Sequence, residues 1–282
     1  MKDILEDIVS WKHIEVEQQK QALTPRQLYT KVDRLMEKGI QPHSMRRALT
    51  ESPCGIIAEF KRKSPSKGWI HPDAEPEEVV PLYACNGAAA ISILTDEKYF
   101  GGSMDFIQRM RNHPALAEDN ACPILRKDFI IDEYQLFQAR LIGADAVLLI
   151  ASALSKQECR MLTGTAHELG LEVLLEMHGE EELDYADLDI DMAGINNRNL
   201  GTFHTDVANS FRLAGRLPEE KLRVSESGIS QPETIVHLRQ AGFRGFLIGE
   251  TFMREADPGA ALKRFLTQTT ALLPPAKAHI YP

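Results

Sequence analysis

The sequence predicts an α/β protein: a (β/α)8 TIM barrel with an N-terminal helical extension. Its 282 residues are close to the roughly 250 that are typical of one such barrel. Eight short apolar runs recur at intervals of about 20 to 35 residues, and each is followed by a helical pattern. The runs are apolar on both faces, as expected of parallel strands that helices cover.

Residues 1–50 are predicted to form the helical extension over the barrel. A first helix is indicated by apolar residues at helical spacing, namely Ile4, Leu5, Ile8 and Val9. A second helix begins at Thr24-Pro25, where Gln27 is placed to complete a capping box, and Gly39 ends it.

The barrel is predicted to span residues 51–272, and residues 273–282 are predicted to form a loose C-terminal tail. The eight predicted strands are Gly55–Phe60, Ala88–Leu94, Cys122–Leu125, Asp145–Ile150, Leu171–Leu175, Met192–Ile195, Leu222–Val224 and Gly245–Ile248. The clearest predicted helices between them are Asp132–Leu141, Ser155–Leu169, Gln231–Gln240 and Pro258–Leu266. An open doubly wound sheet would place a glycine-rich turn after the first strand, but the charged segment Lys61–Pro65 follows it instead.

Charge and cysteine content narrow the class of function. Acidic residues outnumber Lys and Arg by 41 to 32, which argues against nucleic acid or a membrane surface as a partner. The sequence shows no signal peptide, no membrane-spanning run and no metal-ligand spacing, so we expect a cytoplasmic protein without a metal. We expect buried, reduced thiols at all four cysteines, Cys54, Cys85, Cys122 and Cys159.

Charged side chains stand at the carboxyl ends of the predicted strands, where an apolar strand tolerates charge only if it is paired or functional. In a barrel these ends converge on one rim, which is where active sites lie. The converging residues are Lys61, Lys127 and Arg198 together with Glu59, Glu176 and Glu226. Structural ion pairing is the alternative for any one of them, but six such residues at five strand ends favour an active site.

Glycines after the last two strands indicate a phosphate site. Ser227-Gly228 closes strand seven and Gly249 closes strand eight, just before a new helical turn. Glycine lets the backbone approach an anion, and helix-start N–H groups then donate to it. Barrel enzymes commonly bind phosphate with these two loops, although each glycine alone is more often a turn residue.

Aromatic and histidine residues near the strand ends give weaker indications. The segment Tyr99-Phe100-Gly101-Gly102 either packs in the core or walls an aromatic pocket. His178 lies close enough to Glu176 to join the site, whereas Trp11 and Trp69 are interpreted as packing residues.

Seven stretches occur in barrel order and form one set of motifs. They are IAEFKRKSPSKG (57–68), ILTDEKYFGGS (93–103), PILRKDFI (123–130), LLEMH (174–178), INNRNL (195–200), SESGIS (225–230) and FLIGETFM (246–253). In these stretches, and in its helical extension, the chain resembles the indole-3-glycerol phosphate synthase family of tryptophan biosynthesis. The resemblance implies a decarboxylating carbon–carbon lyase without metal or organic cofactor. Its substrate would be 1-(2-carboxyphenylamino)-1-deoxy-D-ribulose 5-phosphate, which closes a ring, loses carbon dioxide and water, and becomes indole-3-glycerol phosphate.

The resemblance also implies roles for the charged cluster. Lys127 would be the general acid for ring closure, with Glu176 holding its ammonium group. Glu59 would be the base and Lys61 the second acid in the dehydration, although the assignment of the two lysines to the two steps stays open. Glu226 would hold substrate hydroxyls or steady developing positive charge.

Substrate contacts follow from the same resemblance. Asn196 and Arg198 would bind the sugar and the anionic groups. The remaining expected contacts are Ser64, Ser227, Gly228, Gly249 and the backbone N–H of Glu250 for the phosphate, and Phe100, Phe129 and Leu148 for the anthranilate ring.

Two other interpretations remain at this point. A barrel like phosphoribosylanthranilate isomerase would use a Cys and Asp pair, and Cys54 lacks the expected surroundings. A non-catalytic barrel that binds a phosphorylated metabolite would keep Gly228 and Gly249 but lose the acids and bases, which are present. We expect the synthase activity alone, a small phosphorylated substrate and a monomer or weak homo-oligomer. Contact with other tryptophan-pathway enzymes is left open.

Overall fold

A closed barrel of eight parallel strands forms the centre of the protein, in a computed structural model that describes residues 4–116, 122–199 and 203–274. The strands are β1 (Ile56–Phe60), β2 (Ala90–Leu94), β3 (Ile124–Lys127), β4 (Ala146–Ile150), β5 (Glu172–Met177), β6 (Met192–Asn196), β7 (Leu222–Glu226) and β8 (Phe243–Ile248). Strand β1 pairs with β2 on one side and with β8 on the other, and this closes the cylinder. The predicted fold class is confirmed.

Four strands continue past the ends that their apolar runs predict. Strand β3 reaches Lys127, β5 reaches Met177, β6 reaches Asn196 and β7 reaches Glu226. Backbone pairing continues through these polar positions, for example between Asn196 and Glu226. The polar side chains at the rim are therefore held on strands, which fixes them more firmly than a loop would.

The extension consists of three helices, α1 (Ile4–Ala22), α2 (Pro25–Glu37) and α3 (Met45–Glu51). Helix α1 lies at the carboxyl-end mouth, where the Tyr99 hydroxyl donates to the carbonyl of Asp7. Helix α2 starts with the predicted capping box at Thr24 and packs along the outside of the barrel, where Tyr29 stacks on Phe137.

Helix α3 closes the opposite end of the barrel. Its Met45 and Leu49 are fully buried among the inward-facing side chains of the strands. The preceding turn is tied to the start of β5, because the Ser44 hydroxyl and the Arg46 N–H both donate to Glu172. The extension thus covers both ends of the barrel, whereas the sequence suggested only a cover over it.

Helices surround the barrel on its outside and cover the outer faces of the strands. They are α4 (Pro76–Cys85), α5 (Glu97–Phe100), α6 (Met104–Arg111), α7 (Glu133–Ile142), α8 (Lys156–Glu168), α9 (Ala208–Ala214), α10 (Pro232–Gln240), α11 (Glu250–Met253) and α12 (Pro258–Leu272). The connection after β5 differs from the predicted helix, since Glu180–Asp187 forms a 3-10 segment there. A two-stranded hairpin, Lys63–Ser64 with Gly68–Trp69, follows β1.

Two packing predictions are wrong. Cys85 is exposed, because it is the last residue of α4 and no layer covers that helix end, while the other three cysteines are buried. Trp69 is 54% exposed, because it lies on the hairpin that projects beyond the barrel. Its ring instead lies beneath the Arg62 and Lys63 cations.

Two further points concern the limits of the described chain. Among the described residues, no helix is long and apolar enough to cross a membrane. Most of the predicted C-terminal tail, residues 275–282, and Leu200 of the INNRNL motif lie outside those residues.

Candidate active site

A cavity of about 640 Å³ opens at the carboxyl ends of the strands. The candidate acid and base residues Glu59, Lys61, Lys127, Glu176 and Glu226 all line it. The other predicted residues on its wall are Phe100, Phe129, Leu148, Asn196, Arg198, Ser227, Gly228, Gly249 and Glu250. Side chains that are far apart in sequence therefore meet in one concave site.

Lys127 is the centre of the charged cluster. Its ammonium donates to Glu176 at 2.7 Å and lies 3.3 Å from a carboxyl oxygen of Glu226. These three residues come from the ends of β3, β5 and β7. Although burial opposes the charge, the surrounding glutamates raise the pKa of Lys127 above its ordinary value, so the side chain is protonated and has a proton to donate.

The two glutamates beside Lys127 differ in protonation. Burial disfavours the charged form of Glu176, but the Lys127 ammonium and His178 hold its pKa well below the ordinary value. Burial and the nearby Glu176 carboxylate raise the pKa of Glu226 to about 7, despite the pull of Lys127. Two carboxylates that share one cation cannot both ionise at low cost, and Glu226 is the one that keeps its proton longer.

Neither carboxyl oxygen of Glu226 makes a hydrogen bond of good geometry among the described residues, although Oε2 lies 3.3 Å from the Lys127 ammonium. The carboxyl group faces the cavity and is 1% exposed. Buried polar atoms are normally satisfied, so the open hydrogen-bonding capacity of this carboxyl group is available to a ligand in the cavity.

A second acid–base pair lies on β1 and the loop that follows it. The Lys61 ammonium is 2.5 Å from a carboxyl oxygen of Glu59. Gly249 leaves the room that Glu59 occupies, because a Cβ atom at position 249 would overlap that same oxygen. The glycine that the sequence assigned to phosphate thus also shapes the acid–base pair.

The loops after β7 and β8 form the other end of the cavity. Ser227 and Gly228 both have a left-handed backbone, with φ of 67° and 78°. Gly228 is the residue type that adopts this conformation freely, whereas Ser227 pays a strain cost that is common at ligand sites. Backbone N–H groups at such turns are available to an anion.

Three cationic side chains line the cavity beside these loops. The Arg198 guanidinium donates to Glu250 at 3.3 Å, and the Lys67 ammonium is 3.9 Å from the same carboxylate. Arg254 also lines this end. The carboxylate of Glu250 therefore occupies a position between two cations that a phosphate group could take.

Ser64 is the one predicted site residue that does not line the cavity. It is 1% exposed within the hairpin, where its hydroxyl accepts the Lys67 N–H. Its neighbours Pro65, Ser66 and Lys67 reach the cavity instead.

The remaining wall is apolar. The rings of Phe100 and Phe129 lie 6.0 Å apart and tilted, with Leu148 beside them. Helix α1 adds further apolar side chains that the sequence did not assign to the site, namely Ile4, Leu5 and Ile8. This end suits an aromatic ring, while the opposite end suits an anion.

Sequence reasoning missed the anchor of α1. Lys12 is fully buried and lies 2.9 Å from each of Asp96 and Asp128, which follow β2 and β3. The Asp128 carboxylate also accepts a hydrogen bond from the Arg126 guanidinium. Because Asp128 is the residue next to Lys127, its ion pair with Lys12 ties α1 to the site. The available signal is the position of Lys12 in the apolar stripe, four residues after Ile8 and four before Val16.

No group of three or more His, Cys, Asp or Glu side chains in the described chain is arranged to hold a metal ion. An eight-stranded barrel that combines an acid–base cluster with an aromatic wall and an anion-binding end is an enzyme for a small phosphorylated aromatic metabolite. A sequence model of the indole-3-glycerol phosphate synthase family matches residues 5–265, and the chain belongs to that family.

Individual relatives agree with this family. Indole-3-glycerol phosphate synthase from Bacteroides thetaiotaomicron is 59% identical over 266 residues, which cover 94% of this chain and 98% of that one. The synthase from Salinibacter ruber is 44% identical over 93% of this chain and 94% of its own. Among solved structures, a thiamine phosphate pyrophosphorylase from Pyrococcus furiosus has a TM-score of 0.60 at 15% identity, covering 82% of this chain and all of its own, and shows the barrel fold alone.

Proposed function

We propose that the chain carries out its family's reaction with the cluster around Lys127. The reaction is the closure of 1-(2-carboxyphenylamino)-1-deoxy-D-ribulose 5-phosphate to indole-3-glycerol phosphate, with loss of carbon dioxide and water. The observation that supports these residue roles best is the partly buried Lys127 ammonium, held in the cavity by the buried carboxylates of Glu176 and Glu226. A positioned, protonated acid is what ring closure onto a ketone requires.

Ring closure begins with the substrate lying along the cavity. Its anthranilate ring packs against Phe100, Phe129 and Leu148, and its phosphate lies at the loops after β7 and β8. This orientation brings the ketone oxygen to Lys127, which donates a proton as the ring carbon attacks the ketone carbon. Carbon dioxide then leaves and restores the aromatic ring.

Dehydration completes the indole. The substrate methylene beside the nitrogen must lose a proton, and the new hydroxyl must leave as water. Glu59 takes the first role and Lys61 the second, and their separation of 2.5 Å lets the pair return the proton from one to the other. Glu226, with its unsatisfied carboxyl oxygens, binds a substrate hydroxyl.

The anion end of the cavity binds the phosphate. Backbone N–H groups near Gly228 and Gly249 approach it from two loops, and Arg198 and Lys67 contribute charge. Ser66 replaces Ser64 as the phosphate contact, because Ser66 lines the cavity and Ser64 does not. Asn196, whose carboxamide oxygen accepts the Arg198 N–H, holds this arginine loop at the sugar.

We also propose the cytoplasm as the site of action and a monomer or weak homo-oligomer as the working form. Four free cysteines, three of them buried, fit a reducing compartment, and so does a phosphorylated substrate.

The test follows indole formation by fluorescence with the carboxyphenylamino-deoxyribulose phosphate as substrate. Lys127→Ala should lower kcat by at least about 10²-fold with a smaller change in KM. Lys127→Arg keeps the charge but does not give up a proton, so it should be nearly as inactive. Lys63→Ala is the matched control, because Lys63 is close in sequence to Lys61 but donates to the Lys98 carbonyl away from the cavity.

Two outcomes would contradict the assignment. Full activity of both Lys127 variants would move the acid to Lys61. A wild-type protein that binds the substrate but does not turn it over would leave a barrel that only binds a phosphorylated metabolite.

A further inference from the structure

His178 lies behind the catalytic cluster, on the side away from the cavity. Its Nε2 is 3.1 Å from Glu176 Oε1, an ion pair by distance, while the other oxygen of Glu176 accepts from Lys127. Glu176 therefore stands between the lysine and the histidine. His178 is absent from the cavity wall, so it does not touch a ligand bound there.

The other side of the His178 ring faces the protein surface. Its Nδ1 lies 3.5 Å from the hydroxyl of Ser152, which is exposed, and 3.6 Å from a carboxyl oxygen of Glu182. The titratable groups within ion-pair distance of this ring, among the described residues, are Glu176 and Glu182. A row of polar groups thus runs from Lys127 to solvent without passing through the cavity.

The backbone holds His178 in this row. Its N–H donates to Glu182 at 2.5 Å, and its carbonyl accepts from the Asn209 amide at 3.0 Å. The residue is fixed between the end of β5, the 3-10 segment Glu180–Asp187 and α9. Such fixed geometry is what a proton route requires, because each step needs a donor near its acceptor.

The reaction consumes one proton per turnover. The ketone oxygen leaves as water and needs two protons, while the substrate methylene returns one. The substrate carboxylate leaves as neutral carbon dioxide and returns none, so the second proton comes from solvent. With the roles proposed above, Glu59 returns the methylene proton to Lys61 over 2.5 Å, and Lys127 is the group left as a neutral amine.

We propose that His178 and Glu176 form the route by which a solvent proton returns to Lys127 while the product still covers the cavity side. This inference rests on the proposed function. The His178 imidazolium gives its Nε2 proton to Glu176. The Glu176 carboxyl group rotates and passes it to the Lys127 amine, which becomes ammonium.

The neutral ring keeps its Nδ1 proton, so it rotates about its Cβ–Cγ bond until the bare Nε2 takes a proton from water on the side of Ser152 and Glu182. Rotation back restores the starting state. Each transfer moves one proton and leaves no charge unbalanced. Although burial favours the neutral ring, the Glu176 and Glu182 carboxylates raise the pKa of His178 to about 10, so it is charged and ready at neutral pH. Lys127 has a pKa above its ordinary value and accepts the proton readily.

The test separates the first turnover from later ones with His178→Asn. Excess enzyme measures a single turnover, for which Lys127 is already protonated, and its rate should stay within about twofold of wild type. Excess substrate measures repeated turnovers, and kcat should fall by at least about 10-fold because reprotonation has become slow. Added imidazole should restore kcat in a concentration-dependent manner, since it can supply the missing proton.

Two other variants accompany this one. His167→Asn is the matched control, because His167 also pairs with a carboxylate, Asp191 at 2.9 Å, but at the start of β5 and far from Lys127. It should leave both rates unchanged. Glu182→Gln keeps an acceptor for the His178 backbone N–H but removes the carboxylate beside the ring. It should lower kcat and leave the single-turnover rate intact. This variant tests the route even if His178→Asn fails to fold.

Three results would overturn the inference. An equal fall in the single-turnover rate and kcat would mean that His178 only supports the charge of Glu176. Unchanged kcat would mean that Lys127 regains its proton through the open cavity. A wild-type protein without any first turnover would refute the proposed function itself, and the route with it.

Discussion

Glu226 places an acid of unusual pKa at the base of the cavity. Its pKa is about 7 in the folded protein, against an ordinary value of 4.5 that the unfolded chain keeps. Because the folded-state pKa is raised, the protonated form favours folding. This contribution is complete below pH 4.5 and is lost as the pH rises through 7.

Glu226→Gln cannot lose a proton and should escape this loss. Relative to wild type, its free energy of unfolding should rise by on the order of 3 kcal/mol as the pH increases across this window, and then level off. Urea unfolding at a series of pH values measures the difference. Glu219→Gln, at an exposed carboxyl group, is the control. A flat difference for Glu226→Gln as well would show that this carboxyl group ionises normally.

Glu250 is the residue where the sequence and the structure suggest different roles. The sequence predicts only a backbone contact between Glu250 and phosphate, but the side chain pairs with Arg198 and Lys67 at the anion end of the cavity. With the phosphate placed as proposed above, it competes with this carboxylate for the two cations. Lys67 and Arg198 lie on other loops, and the GETFM motif around Glu250 does not encode their positions. The pairing was therefore not predictable from the sequence.

Glu250→Ser should therefore lower KM for the phosphorylated substrate. The pairs are partly exposed, so the expected change is only about two- to fivefold, and added salt should reduce it. Steady-state kinetics at low and high ionic strength measure both effects. Glu180→Ser is a suitable control, since Glu180 also pairs with two cations, Arg212 and Arg216, and none of these three residues lines the cavity. A higher KM for Glu250→Ser would mean that this side chain itself binds substrate.

Helix α1 combines two functions on one stripe. Leu5 and Ile8 close the cavity, and Lys12, one turn further on, makes buried ion pairs with Asp96 and Asp128. Helical periodicity predicted the apolar stripe, but a lysine at position 12 interrupts that stripe in the sequence and does not indicate a buried ion pair. Only the fold brings the two aspartates to it, because they follow different strands of the barrel.

Lys12→Met should destabilise the protein strongly, because it leaves the buried Asp96 carboxylate without its cation and leaves Asp128 with Arg126 alone. Removing one partner of a buried pair costs about 3–5 kcal/mol, and urea unfolding should show a loss in this range. Lys20→Met is the matched control in the same helix: its pairs with Glu17 and Asp132 are partly exposed and should contribute about 1 kcal/mol or less. Equal losses for the two variants would show that burial of Lys12 carries no special weight.

At the scale of the whole molecule, the barrel was predictable and its additions were not. Each strand is an apolar run, because helices cover its outer face and the barrel core covers its inner face. Such runs are easily recognised in a sequence. The charges at the ends of β3, β5 and β7 were predictable for the same reason, as exceptions within apolar runs. The hairpin around Trp69, the second closure by α3 and the row behind Glu176 depend on contacts between distant segments, which no local pattern encodes.

The two-ended closure of the barrel sets an order in which the chain can fold during its synthesis. Residues 1–51 leave the ribosome before the barrel strands, yet Lys20 pairs with Asp132 and Ser44 with Glu172, which is 128 positions later. The cylinder itself waits for β8, because Ile56 lies beside Phe246. The apolar stripe of α1 and the inner face of α3 are consequently exposed on the nascent chain until most of the protein has been made, and this interval is when the chain is most open to aggregation and to chaperones.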